Sequence, residues 1–304
     1  MRRTHLAIAA TAAICLSAAT PASAVPADTM VTNGSFEEPD IPTGTFQILA
    51  SVPGWFHAAR LGTSSTGIEI QDHRAGAPAP GAGDQFLELD SNGPSRVFQD
   101  VPTTPGVTHR LAFLYSPRPS TVAQQNHFAV SAASTGTTIG PIAGGPQTKW
   151  APVSLDFVPG GTSSRIEFLD LGPEDPGTAG FGAYIDEVSV VPVYGLCLLY
   201  DPGKSHKQGS TVPLKLQLCD STGQNVSSSS HVVHVTGLTK VDDSSSAVVE
   251  DSGHANPDDD FRYDAELAGY IFNLSTKELT SGTWRVSFTV DGGSTTYSLT
   301  FDVR

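Results

Sequence analysis

Apolar and polar residues alternate with a period of two through much of the chain. Leu111, Phe113 and Tyr115 share one parity, as do Leu155 with Phe157 and Ile166 with Phe168. Val212, Leu214, Leu216 and Leu218 alternate with Pro213, Lys215 and Gln217. Trp284, Val286, Phe288 and Val290 alternate with Arg285, Ser287 and Thr289, and Tyr297, Leu299, Phe301 and Val303 repeat the pattern. Successive side chains on a strand point to opposite faces, so each run predicts a strand with one buried and one wet face. Gly/Pro-rich turns separate the runs, at 102–106, Pro159-Gly160-Gly161 and Gly172-Pro173, and Asp291-Gly292-Gly293 predicts a hairpin turn. No segment with a 3.6-residue period runs beyond a turn or two. The expected fold class is all-β, in packed antiparallel sheets.

The N-terminus reads as a processing signal. Arg2 and Arg3 precede a short apolar run over 6–19, and Ala22-Ser23-Ala24 is an A-x-A cleavage site. A signal peptide over 1–24 is therefore expected, with Val25 as the first mature residue, an uncleaved anchor being the alternative. No later apolar run is long enough to span a bilayer, so the expected location is extracellular, with cell-wall association in view. Cys15 would leave with the leader. Cys197 and Cys219 remain as an even pair in an oxidising compartment, for which a disulfide is expected, against the alternative of two buried free thiols.

Composition sharpens the class of partner. With 31 acidic and 17 basic residues the net charge is −14, which repels nucleic acid and anionic membrane and suits a solvated surface or divalent cations. The length allows two domains. The pattern changes at 191–195, where one strand run ends and Gly195-Leu196-Cys197 begins another. Loops are expected at 74–84, 220–230 and 241–260.

Ordered motifs carry a resemblance. Asn33-Gly34-Ser35-Phe36-Glu37 and Tyr184-Ile185-Asp186-Glu187-Val188 look like the first and last pieces of galactose-binding-domain-like jelly rolls. Between them stand Val52-Pro53-Gly54-Trp55, Gly67-Ile68-Glu69-Ile70-Gln71, Glu88-Leu89-Asp90-Ser91, Gln99-Asp100-Val101 and Tyr115-Ser116-Pro117-Arg118-Pro119. Together these resemble a family of cell-wall proteins, known best from plants, and its secreted bacterial relatives. The resemblance covers about residues 30–193 and lacks the plant pattern's paired cysteines. It implies a jelly-roll sandwich that binds cell-wall polysaccharide. Residues 196–304 resemble the PxKF-type immunoglobulin-like module of secreted bacterial proteins, through 209–216, Tyr263-Asp264, Gly269-Tyr270 and Gly282-Thr283-Trp284, with Leu216 in place of the usual Phe. That implies a spacer or docking module.

Candidate chemistry follows from the same motifs. If Val188 and Val190 point inward, parity places Asp186 inward too, and a buried carboxylate must be paired, hydrogen-bonded or metal-bound. The resemblance supplies Glu37 as its partner in a structural calcium site, with backbone carbonyls completing the shell. Trp55 and Phe56 follow a Pro-Gly turn and are candidates for stacking on a sugar face, Trp55 alternatively being a core plug. Arg118 between two prolines presents a guanidinium fork suited to vicinal hydroxyls or a uronate. Glu69, Gln71 and Asp90 are the other candidate ligand-binding residues. The alternative for this group is an internal salt bridge from Arg118 to Glu69 or Asp90.

Catalysis has less behind it. Glu69, Glu88 and Asp90 could compose a glycosidase pair on composition alone, yet their flanks match a binding family. No G-x-S-x-G, HExxH or CxxC motif is present. His231 and His234 are poorly spaced for one metal, and Asn256-Pro257-Asp258-Asp259-Asp260 reads as a solvated loop. The expectation is a secreted, non-catalytic protein whose partner is a cell-wall glycan. The alternatives are an adhesive surface protein with a cell-surface protein partner, and a glycoside hydrolase or lyase.

Overall fold

The computed structural model describes residues 25–60, 62, 65–75, 83–173, 181–253 and 256–304. The expected signal peptide and most of the 74–84 loop lie outside the described residues. Strands dominate, and the fold is an all-β sandwich architecture.

The first half carries β1 (Phe46–Leu49), β2 (Phe56–Ala59), β3 (Ile68–Asp72), β4 (Gln85–Glu88), β5 (Ser95–Pro102), β6 (Thr108–Ser116), β7 (Phe128–Ala132), β8 (Thr135–Ile139), β9 (Ala151–Phe157), β10 (Ser163–Asp170) and β11 (Tyr184–Val193). They form a six-stranded sheet, β1-β3-β4-β11-β6-β9, and a five-stranded sheet, β2-β5-β10-β7-β8. Ile70, Leu87, Phe113 and Ile185 from the first sheet meet Val97, Val130, Ile166 and Phe168 from the second in one apolar core. The period-two pattern explains this, since each strand gives alternate side chains to the space between the sheets.

The opening motif is fastened to β4 and β11 by hydrogen bonds. Val188 N donates to Gly34 O at 2.8 Å, and a Cβ on Gly34 would lie 2.0 Å from Val188 O, so only glycine fits there. The Gln85 amide accepts from Ile41 N at 2.7 Å and donates to Phe36 O at 2.7 Å. Trp55 is buried, with its ring 5.1 Å from Phe36 and 6.2 Å from Phe168, and its indole N–H donates to Asn33 O at 3.0 Å.

The parity argument for Asp186 does not survive. The pairing of β11 with β6 shifts register between Asp186 and Ser189, where Glu187 adopts φ 51°. One extra residue flips the faces, so Ile185, Val188 and Val190 all enter the core while Tyr184 and Asp186 point to the outer side of the sheet. Asp186 is buried all the same.

The second half carries β12 (Gly195–Leu198), β13 (Ser205–His206), β14 (Thr211–Cys219), β15 (Val233–Lys240), β16 (Ser246–Ala247), β17 (Asp260–Asp264), β18 (Gly269–Ser275), β19 (Gly282–Val290) and β20 (Tyr297–Val303). Hydrogen bonding runs continuously along β12-β14-β18-β17-β15-β19-β20-β13, with β16 on β15. The β15–β17 link is two residue pairs long, so the sheet curls there into two facing layers. Phe261 sits at that bend, 5.1 Å from Phe272 and 5.5 Å from Phe288, inside a second apolar core. Asp291 and Gly292 have φ 54° and 68° in the expected turn between β19 and β20. Cys197 and Cys219 form a disulfide. Among the described residues no helix is long and apolar enough to cross a membrane.

Candidate functional site

The central strands of the six-stranded sheet are buried on both faces. All residues of β3 and β4 are buried, although only their Ile and Leu positions face the inter-sheet core. The other parity carries Glu69, Gln71, Phe86 and Glu88, and β11 adds Tyr184 on the same side. Register makes one row of Ile48, Glu69, Glu88, Tyr184 and Ser116 across five strands. Polar residues that sequence alternation would assign to a wet face are therefore enclosed together.

Glu88 is the hub. It is wholly buried, and one oxygen accepts from Ser91 N at 2.6 Å while the other accepts from Gly182 N. Arg118 Nη1 lies 3.5 Å from Glu88 Oε1. Asp90 Oδ2 accepts from Phe181 N at 3.2 Å, and Glu69 Oε1 accepts from Gln71 Nε2 at 2.7 Å. The Arg118 guanidinium carbon stands 4.6 Å from the Phe181 ring centroid and 5.9 Å from that of Tyr184. Asn126 holds the arginine's backbone through a 2.8 Å bond from Arg118 N.

Electrostatics follow from enclosure. Burial pushes Glu69 up to about 7. Burial and then the facing Glu69 carboxylate push Glu88 well above the usual carboxylate range, against the pull of Arg118. Asp170, in reach of Asp90, is pushed up to about 7 by burial, and its Oδ2 is buried without a partner.

The expected residues divide. Glu69, Gln71, Asp90 and Arg118 come together as one cluster, and among the described residues the carboxylate within ion-pair distance of Arg118 is Glu88 rather than Glu69 or Asp90. Trp55 is corrected to a core residue, because its ring is enclosed between the sheets. Phe56 is exposed but stands on the outer face of the other sheet, stacked on Phe98 at 5.9 Å, where Arg165 covers the Phe98 ring at 4.0 Å. It cannot join Arg118 in one site.

Among the described residues the rings beside Arg118 are instead those of Phe181 and Tyr184, and Trp150 packs against Tyr184. Tyr184 was visible as the start of the last-strand motif. Phe181 lies in a Gly-rich stretch with no periodicity to reveal it. Exposure is limited to the rim, where the Arg118 side chain is 22% exposed, Phe181 39% and, on edge strand β1, Phe46 59%.

The calcium expectation meets a mixed donor set. Asp186 Oδ2 is buried without a partner, which suits a cation, and the charges of Glu187 and Glu37 reach it. Burial pushes Asp186 well above the usual range. Glu37 Oε1 is already taken by the backbone N–H groups of Asp84 and Gln85, at 3.0 and 2.9 Å. Among the described residues no three His, Cys, Asp or Glu side chains gather as a metal cluster, so backbone carbonyls would have to supply most of the shell.

No family model matches the sequence, and no curated protein matches it. Solved structures with a similar chain path include the enzymatically active domain of bacteriophage CBA120 tailspike protein 4, at 14% identity over 55% of this chain and 22% of that one, TM-score 0.36. Others are TmCBM61 in complex with β-1,4-galactotriose, at 11% over 54% and 99%, TM-score 0.34, and the K1 cleaved adhesin domain of Lys-gingipain from Porphyromonas gingivalis W83, at 18% over 49% and 98%, TM-score 0.33. The match thus spans about a fifth of the tailspike domain's length. Identities and TM-scores this low carry no argument about activity, and the reading of the site rests on its own residues.

Proposed function

We propose that this chain is a secreted, non-catalytic carbohydrate-binding protein that recognises cell-wall polysaccharide at the rim of the outer sheet face. The observation that carries the reading is Arg118, whose guanidinium contacts Glu88 at 3.5 Å and lies over the Phe181 and Tyr184 rings, with the side chain 22% exposed. A planar fork held rigid donates to paired hydroxyls at small entropic cost, and the exposed Phe181 ring suits the C–H face of a pyranose. The buried carboxylates act as positioning groups, holding Arg118 and the 181–184 backbone. A structural calcium at Asp186 and Glu37 belongs to this proposal and would brace the first and last motifs of the sandwich.

A second reading, glycoside hydrolysis, draws on one feature: Glu69 and Glu88 are cross-strand neighbours, and Glu69 is held near neutrality. The test is retention of the full chain on insoluble xylan, β-1,4-galactan, cellulose and chitin, with assay of released reducing ends. Retention on at least one polymer is expected, weakened about tenfold or more in Arg118→Ala and in Phe181→Ala, without release of reducing ends. Phe181→Ala removes an exposed ring and keeps the test sound if Arg118→Ala misfolds. Retention on none of the polymers, or equal retention of both folded variants, would overturn the proposal, and reducing ends lost in Glu69→Gln would favour the hydrolase.

A further inference from the structure

A cavity of about 280 Å³ that shares no lining residue with the Arg118 cluster is bounded by the N-terminal segment at Asp28, the end of β11 and the turn between β19 and β20. Its chemistry is one-sided. Asp28, Asp291, Tyr194, Tyr297 and His231 line it, and no Lys or Arg does so among the described residues. Asp28 Oδ2 accepts from Ser294 N at 3.2 Å, while Asp28 Oδ1 is buried without a partner.

The wall is prearranged. Tyr297 Oη accepts from Tyr194 N at 3.0 Å, and His231 Nδ1 lies 2.7 Å from Asp291 Oδ2 with its ring edge-on to Tyr194 at 5.5 Å. Asp291 Oδ1 accepts from Val232 N at 2.8 Å. The negative charges reach the phenols. Burial first and then Asp291 push Tyr194 up to about 12, and burial with a contribution from Asp28 raises Tyr297. Arg110, the cation whose field reaches Tyr297, is already held by Asp156 through bonds of 2.7 and 2.8 Å. Two carboxylates and two tyrosine rings around a space this size make an electronegative, partly aromatic recess. Such recesses favour a cation that also has apolar surface.

We propose that this cavity binds a compact organic ammonium ion, held by Asp28 and Asp291 against the rings of Tyr194 and Tyr297. The charge could come from the primary amine of a deacetylated amino sugar or from a quaternary amine. Separate titrations distinguish them. Glucosamine and choline would each be added to the full chain to about 20 mM and followed by NMR shifts of the tyrosine rings. N-acetylglucosamine and 3,3-dimethylbutan-1-ol serve as their neutral counterparts. At least one ammonium compound is expected to shift the Tyr194 and Tyr297 signals, and its neutral counterpart to bind about tenfold more weakly or not at all. A response to glucosamine alone assigns the amino-sugar source, and a response to choline alone assigns the quaternary amine. Asp28→Asn is expected to remove the response, and Arg118→Ala to leave it intact, since that residue belongs to the other site. No shift with either ammonium compound, or equal binding by the neutral counterparts, would overturn the proposal. The wild-type comparison of charged and neutral probes stands even if Asp28→Asn loosens the fold.

Discussion

Replacing Glu69 with Gln is expected to raise the melting temperature at about pH 8 and leave it nearly unchanged at pH 4.5, the ordinary value of its carboxyl. Enclosure holds Glu69 at about 7 in the folded protein, against 4.5 in an open chain. Between those values the folded state binds the proton and the unfolded state does not, so stability falls as pH rises through the interval. The loss is complete above about pH 7 and absent below about pH 4.5, and the difference in affinity corresponds to about 3 kcal/mol. Gln matches the protonated side chain in shape and can still accept from Gln71. It also removes the charge that helps push Glu88 up.

At about 2–4 °C per kcal/mol for a unit of this size, the variant should melt roughly 10 °C higher than wild type at about pH 8. Asp170 and Asp186, whose values are also raised, shift both proteins alike and cancel in the comparison. Asp72 and Asp100 are lowered, so their contribution is lost only in acid below 3.8, outside this window. Scanning calorimetry of the two proteins at both pH values is the assay. A variant that melts lower than wild type at about pH 8, or gains equally at both pH values, would refute the reasoning that burial rather than pairing with Arg118 dominates at Glu69.

Other outcomes test the remaining structure. Glu88→Ala removes the carboxylate that accepts from the N–H groups of Ser91 and Gly182 and that contacts the Arg118 guanidinium, and is expected to cost about 3–5 kcal/mol in urea unfolding, whereas an effect under about 1 kcal/mol would deny Glu88 its role as hub. Replacing both Cys197 and Cys219 with Ser opens a crosslink of 22 residues' separation and should cost about 3 kcal/mol, an unchanged unfolding midpoint being the contrary result. If Asp186 and Glu37 hold calcium, adding a chelator should lower the melting temperature of wild type but not of Asp186→Asn, and a chelator-insensitive wild type would exclude the site.

The sequence by itself determined the long alternating strands and the all-β class, because a period of two is a local property, and it offered Cys197 and Cys219 as the expected pair once Cys15 is set aside with the expected leader. It also marked Gly34, Glu69, Gln71, Asp90 and Arg118 as residues of interest. Tertiary structure decided what each does. Alternation says that Glu69 and Glu88 leave the inter-sheet core, but it is the folded chain, with Arg118, Trp150 and 181–184 among the described residues packed over it, that makes the outer face a second interior. Trp55 and Phe56 are adjacent in sequence, yet one is sealed between sheets and the other sits on the far surface, because neighbours on a strand or its turn take opposite faces. The register shift at Glu187 reversed the expected side of Asp186, since one added residue exchanges the faces of everything beyond it. No pattern of residues announces such a shift, and the contacts between distant strands that set it exist only in the folded chain.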